Sequence, residues 1–153
     1  MSTAATRGNG RYAETPVQKA ALVFGIVFFI VGIAGFIPGL TSNVDALEFA
    51  GHESGAMLLG IFQVSILHNI VHLLFGVLGL VTARTFSGSR GFLIWGGAIY
   101  AVLWIYGLVV PHDHQANFVP LNTADNWLHF VLAAAMIALG VLLGRRVRDA
   151  RTV

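Results

Sequence analysis

The chain contains no cysteine among its 153 residues. That removes disulfides, thiolate metal sites and thioether-linked haem, so any chemistry must run on histidine, carboxylates, amides or backbone groups. Charge is almost as scarce, with Asp, Glu, Lys and Arg together at 10% of the sequence, against about a quarter in soluble domains. Proline occurs only four times. Two of the four, Pro38 and Pro111, close long apolar runs, where a residue with no amide hydrogen ends a helix. Apolar residues fill the space left by these absences: 56% of the chain is hydrophobic and the mean hydropathy is +0.77. Such a composition lies outside the soluble range and indicates an integral membrane protein.

Four segments, residues 20–37, 65–83, 91–110 and 126–143, approach the roughly 20 helical residues needed to cross a hydrocarbon core. A sequence pI near 9.5 would suit nucleic acid if the basic residues clustered on one folded face. They do not. Arg7, Arg11 and Lys19 precede the first segment, Arg84 and Arg90 lie between the second and third, and Arg145, Arg146, Arg148 and Arg151 follow the fourth. The other two connections, residues 38–64 and 111–125, hold no Lys or Arg but carry Asp45, Glu48, Glu53, Asp113 and Asp125. By the positive-inside rule both termini are cytoplasmic and the acidic connections face outward. No nucleic-acid partner is expected; the lipid bilayer is. A cleaved signal peptide at the first segment is disfavoured by its long polar leader and by the lack of a small-x-small site near Pro38-Gly39.

The expected organisation is a disordered cytoplasmic tail over residues 1–18, a four-helix transmembrane domain over 19–145 and a basic cytoplasmic tail over 146–153. Residues 56–64 are apolar and could lengthen the second helix, but a separate re-entrant or interfacial piece is the expectation, with Ser65 as N-cap of the span. Trp95, Tyr106 and Trp127 sit where interfacial aromatics belong.

A shift of 57 residues aligns His68, Asn69, His72, Gly76, Gly79 and Ala83 with Asp125, Asn126, His129, Ala133, Met136 and Gly140. On a helix each set makes one stripe, polar at its outer end and mostly small below. Small residues let helix backbones approach in lipid, and Ala21 with Gly25, Gly97 with Ala101 and Gly140 with Gly144 add to that pattern. The fold class expected is therefore all-α: a membrane four-helix bundle of two parallel-repeat helical hairpins.

All six histidines, His52, His68, His72, His112, His114 and His129, fall in the outward half. His68 and His72 have the i, i+4 spacing that can offer two ligands to one divalent metal, and His129 could supply a third. Against this stands a structural role, in which Asn69 meets His129 and Asn126 meets His72 as hydrogen-bonded glue between helices, worth on the order of 1 kcal/mol per bond. His52, His112 and His114 fit solvated loop positions. A b-type haem would need axial histidines on facing helices and a wide apolar slot, which this pattern does not favour.

The stretch GIFQVSILHNIVHLLFGVLGL, Gly60 to Leu80, with the second Asn-x-x-His at Asn126 and His129, resembles the signature of a family of small bacterial four-span membrane proteins of unknown function. It departs from that pattern at Ser65, where the family often carries asparagine. The resemblance extends over most of residues 19–145 and implies four spans and an integral membrane location, but no activity; the location expected is the bacterial inner (plasma) membrane. No nucleophile, base and orienting group can be assembled, so an enzyme is not expected. The inner halves of the spans lack the polar groups a transporter carries through the membrane depth. The expectation is a structural or accessory membrane protein with an outer-leaflet cluster of Asn69, His72, Asn126 and His129. Self-association or a larger membrane complex would supply its partners. The alternative is a metal-binding (zinc, copper or iron) or proton-coupled protein using His68, His72 and His129.

Overall fold

The computed structural model describes residues 11–145. Four helices dominate it: α1 (Pro16–Ala34), α2 (Ile66–Thr82), α3 (Phe86–Val109) and α4 (Thr123–Leu142). α1, α3 and α4 are long and apolar enough to cross a membrane, whereas α2, at 17 residues, is shorter.

Each helix begins where a side chain satisfies its free amides. Thr15 and Gln18 form a reciprocal capping box with Pro16 in the first turn, Ser65 accepts from the His68 amide, Thr85 accepts from that of Gly88, and Asn122 forms a second capping box with Asp125. Such caps contribute about 1 kcal/mol each. At α1, α3 and α4 they also place the helix start upstream of the hydropathy boundary, while α2 starts after Ser65 as expected. Residues 16–18, expected in the tail, belong to α1, and α3 starts at Phe86 instead of residue 91, because hydrogen bonding begins at the cap whatever the polarity of Ser87, Ser89 and Arg90. α1 stops at Ala34, before Pro38, with Gly35 as its C-cap. The tail over 146–153 lies outside the described residues.

α1 packs most extensively on α2, and α3 on α4; the pairs meet more lightly, chiefly through α1 and α3. Glycine makes both hairpins tight. A methyl group at Gly79 would sit 2.6 Å from the Gly25 Cα, and one at Gly97 would sit 3.0 Å from the Ile137 amide nitrogen. The buried residues of α2 are His68, Asn69, His72, Gly76 and Gly79, and those of α4 are Asp125, Asn126, His129, Ala133, Met136 and Gly140. The two stripes aligned by the 57-residue shift are thus the two buried faces. Phe28, Phe92, Leu93, Tyr100, Ala133 and Met136 fill the space where the helices converge. The outward faces of all four carry exposed large apolar side chains, among them Ile30, Leu74, Val102 and Val131, an inside-out distribution that suits lipid and not water.

The end of the bundle holding the α2–α3 connection is sewn together by polar side chains. Gln18 Nε2 donates to the Ala83 carbonyl at 3.0 Å, Ser89 Oγ to that of Thr82 at 2.9 Å, and Tyr12 to that of Leu80 at 3.1 Å. These donors take up carbonyls that the C-terminus of a helix otherwise leaves unpaired.

At the opposite end, residues 56–64 neither extend α2 nor form a re-entrant helix. They make a hairpin of a small antiparallel sheet, β1 (Thr41–Ser42), β2 (Met57–Leu58) and β3 (Phe62–Gln63), in the order β1-β2-β3. Thr41 pairs with Leu58 and Met57 with Gln63. The chain reverses at Leu59 and Gly60, both at positive φ, which no helix accommodates. The apolar character of this run has another cause: Ala56, Leu58 and Val64 form a second small core against Val31 and Ala34 of α1.

Candidate functional site

The hairpin is bolted to the head of α4. The buried Asp125 carboxylate accepts from the Gln63 amide at 3.0 Å and from the Asn122 amide at 3.1 Å, while Asn122 Nδ2 donates to the Ile61 carbonyl at 2.7 Å. Within the α3–α4 connection, buried Asn117 donates to the carbonyls of His112 and Leu121 and accepts from the Leu121 amide. Tyr106 donates to the Ala116 carbonyl and accepts from the Phe118 amide. A bond from the Gly51 amide to the Phe118 carbonyl, 2.8 Å, ties the two connections together. Together they form a roof over the helix ends. His52, His112 and His114 belong to it. His52 and His112 contribute backbone carbonyls and His114 a ring nitrogen to local bonds, and none of the three joins the membrane-level histidines. Trp95 and Trp127 are exposed on the outer surface of the helices.

Beneath the roof, His68 and His72 of α2 and His129 of α4 come together, each at least nine-tenths buried. The imidazoles of His68 and His72 are stacked with centroids 4.6 Å apart and planes 5° from parallel. His129 lies 6.4 Å from His68 and 5.2 Å from the Tyr100 ring of α3, and Phe28 of α1 meets His72 edge-on at 5.8 Å. All four helices contribute. Tyr100 and Phe28 were not singled out from the sequence, although a tyrosine in the middle of an apolar span is a polar group that must be placed somewhere.

The spacing of His68, His72 and His129 suggested a metal triad; the structure brings the three together but does not set their rings around a common point. A bound metal lies in the plane of each imidazole that ligates it, about 2 Å from the nitrogen. Two nearly parallel, stacked rings have no such common point. His72 Nδ1 is also engaged, donating to the His68 carbonyl at 3.0 Å. Among the described residues no group of three His, Asp or Glu side chains is arranged to hold a metal ion.

The cross-bundle amide pairs are not formed either. Asn69 Nδ2 and His129 Nδ1 are both buried without a partner, as are Asn126 Oδ1 and His68 Nδ1. Each asparagine instead packs within its own hairpin against a glycine of the preceding helix. A methyl group at Gly35 would fall on the Asn69 amide, and one at Gly107 on that of Asn126, at 2.4 Å from its Oδ1. The sequence signal for these partners was present, since both glycines stand at the outer ends of their helices, but their pairing with the asparagines needs the fold.

A partly enclosed cavity of about 300 Å³ lies between α2 and α3 under the roof, lined by His68, His72, His129, Tyr100 and apolar residues that include Val71, Ile99 and Phe118. No charged side chain borders it. Ser65 also lines it, and the uncharged wall is suited to holding an uncharged group.

A family model described as a domain of unknown function (DUF4383) matches residues 18–142. Neither a curated protein nor a solved structure matches the chain.

Proposed function

The chain belongs to this family of unknown function, and on that footing we propose that it is a non-enzymatic accessory protein crossing a bacterial plasma membrane four times, with both termini cytoplasmic. The observation that carries the reading is the depth shared by α1 and α2. Along the pair, Gly25 lies against the backbone of Gly79 and Leu80, Gly32 against that of Leu73, and Gly35 against the Asn69 side chain. A helix lying alongside a membrane span for its whole length crosses with it. The 17 residues of α2 extend about 25 Å, at the short end of what spans. The described basic residues Arg11, Lys19, Arg84, Arg90 and Arg145 favour the cytoplasm at their end. Asp45, Glu48, Glu53 and Asp113 occupy the other end.

In this reading the outer-leaflet layer of Asn69, His72, Asn126 and His129 is structural. The asparagines set the approach of the two helices in each hairpin, the histidines fill the junction between hairpins, and the 57-residue correspondence reflects two repeats of one hairpin plan. The bilayer is the primary partner, and self-association or docking on a larger membrane complex is the accessory role.

The absence of cysteine makes the topology directly testable. Single Ser42→Cys and Ser87→Cys variants, both at exposed positions, are treated in intact cells with a membrane-impermeant maleimide. Ser42→Cys should label, and Ser87→Cys only after permeabilisation. Equal labelling of the two, or the reverse order, refutes the orientation. Elemental analysis of the purified protein tests the metal alternative. Stoichiometric zinc, copper or iron that is lost on replacing His68 and His72 by alanine would favour it over the structural reading.

A further inference from the structure

We infer that the roofed cavity between α2 and α3 is a binding site, entered from the lipid, for an uncharged amphiphile with a planar, hydrogen-bonding head about the size of one substituted ring. Four observations carry this. The first is size. At about 300 Å³ the cavity is roughly twice the volume that accepts benzene in an apolar protein interior, and it sits at the lower end of the range for small-molecule sites.

The second is the side from which it opens. α2 and α3 touch only lightly, and Val71 and Ile99, which line the cavity, are 38% and 48% exposed on the apolar outer surface of the helices. Phe118 and Val119 of the roof also line it. A molecule therefore arrives from among the acyl chains, and an apolar tail can remain between Val71 and Ile99.

The third is polarity. With no charged side chain on the wall, a charged head would lose its hydration without compensation. The fourth is unmet hydrogen bonding. His68 and His129 border the cavity, and each has a buried Nδ1 with no partner. A half-turn of either imidazole about its Cβ–Cγ bond keeps the ring plane, and with it the His68–His72 stack, while exchanging Nδ1 with the opposite ring edge. Each neutral imidazole offers one donor and one acceptor. A head bearing ring carbonyl or hydroxyl groups can meet either. The imidazoles, Tyr100 and Phe118 provide flat surfaces for a planar head.

The test uses the full chain in lipid nanodiscs, with a benzoquinone carrying a ten-carbon tail as probe and decylbenzene, which lacks the oxygens, as control. The expected result is saturable retention of one quinone probe per chain above that of empty discs, with decylbenzene at least tenfold weaker. His68→Phe and His129→Phe keep an aromatic ring but remove the nitrogens. Each should weaken the probe about tenfold, the effect of one hydrogen bond in a dry site, while leaving thermal unfolding in the same discs at or above that of the unmutated chain. Should either variant not fold, Ile99→Trp, on the lipid-facing flank, decides by obstructing entry and slowing uptake of the probe. Equal retention of the two molecules, or retention indifferent to all three substitutions, overturns the site and leaves only acyl chains or water in the cavity. The site rests on the membrane reading but fails separately from it: labelling at Ser42 and Ser87 reports topology whatever the probes do.

Discussion

Replacing Gly79 by alanine in α2 and Gly91 by alanine in α3 should change stability in opposite directions. The substitutions are chemically identical and both fall inside helices, where alanine is favoured over glycine by about 1 kcal/mol. At Gly91 nothing lies within 4 Å of the added methyl group, so the whole of that gain is realised. At Gly79 the methyl group would lie 2.6 Å from the Gly25 Cα and 3.0 Å from the Gly25 nitrogen. Carbon atoms pack at about 3.5–4.0 Å, so the α1 and α2 axes must separate by about 1 Å. Both atoms belong to backbone and cannot step aside. Overpacking of this kind costs about 1–3 kcal/mol, and loss of the close approach at Gly32 and Gly76 on the same seam adds to it. After subtraction of the propensity gain, Gly79→Ala should be destabilised by about 1–2 kcal/mol, or about 2–8 °C in Tm for a chain of this size. Gly91→Ala should rise by about 2–4 °C on the same basis. The assay is thermal unfolding in one detergent followed by circular dichroism. The Gly25→Ala, Gly79→Ala double variant should lose less than the sum of the single losses, because the first methyl group has already parted the helices. If Gly79→Ala is as stable as Gly91→Ala, α1 and α2 are not in backbone contact and the depth argument for four spans falls with it.

Three further outcomes follow from the caps and bolts. Ser65→Ala removes the acceptor of the His68 amide, 3.1 Å away in a buried setting, and should lower stability by about 1 kcal/mol; an unchanged denaturation midpoint would show that the cap is dispensable. Asp125→Ala leaves the part-buried Gln63 and Asn122 amides without their carboxylate, a loss of about 1 kcal/mol for each donor. Hydrogen exchange at Gln63 should accelerate while that of the α3 core stays slow, and unaltered exchange at Gln63 would contradict the bolt. Gln18→Ala removes the donor to the Ala83 and Arg11 carbonyls and should fray the last turn of α2 at a cost of about 1 kcal/mol, seen as faster exchange at Thr82 and Ala83; protection there equal to that of the unmutated chain would refute it.

Much of the molecule was legible in the sequence for simple reasons. A helix in lipid must satisfy its backbone internally, so long apolar runs can be little else. The placing of His68 and His129 on one face with small residues follows from a period of 3.6 residues, and the buried stripes of α2 and α4 fell in the aligned register. Residues 56–64 were expected as a piece separate from α2 with Ser65 as its cap, and they are, but their strands were not legible because hydropathy reports burial and not backbone conformation. Their apolar side chains serve a small core under a hairpin, and Leu59 and Gly60 at positive φ rule out the helix that composition allowed.

The sequence by itself determined that the chain is helical and apolar on its outside, that Ser65 caps α2, and which faces of α2 and α4 are small or polar, because these depend on neighbours within a few turns of the same chain. Only the tertiary structure decided what those faces meet. It set Asn69 against Gly35 instead of His129, and it laid two imidazoles parallel instead of pointing them at a common centre. It also opened a cavity between helices that no single helix encodes. Spacing along one helix fixes a direction, whereas a hydrogen bond or a metal site requires distances and ring orientations that arise only when separate helices are set side by side.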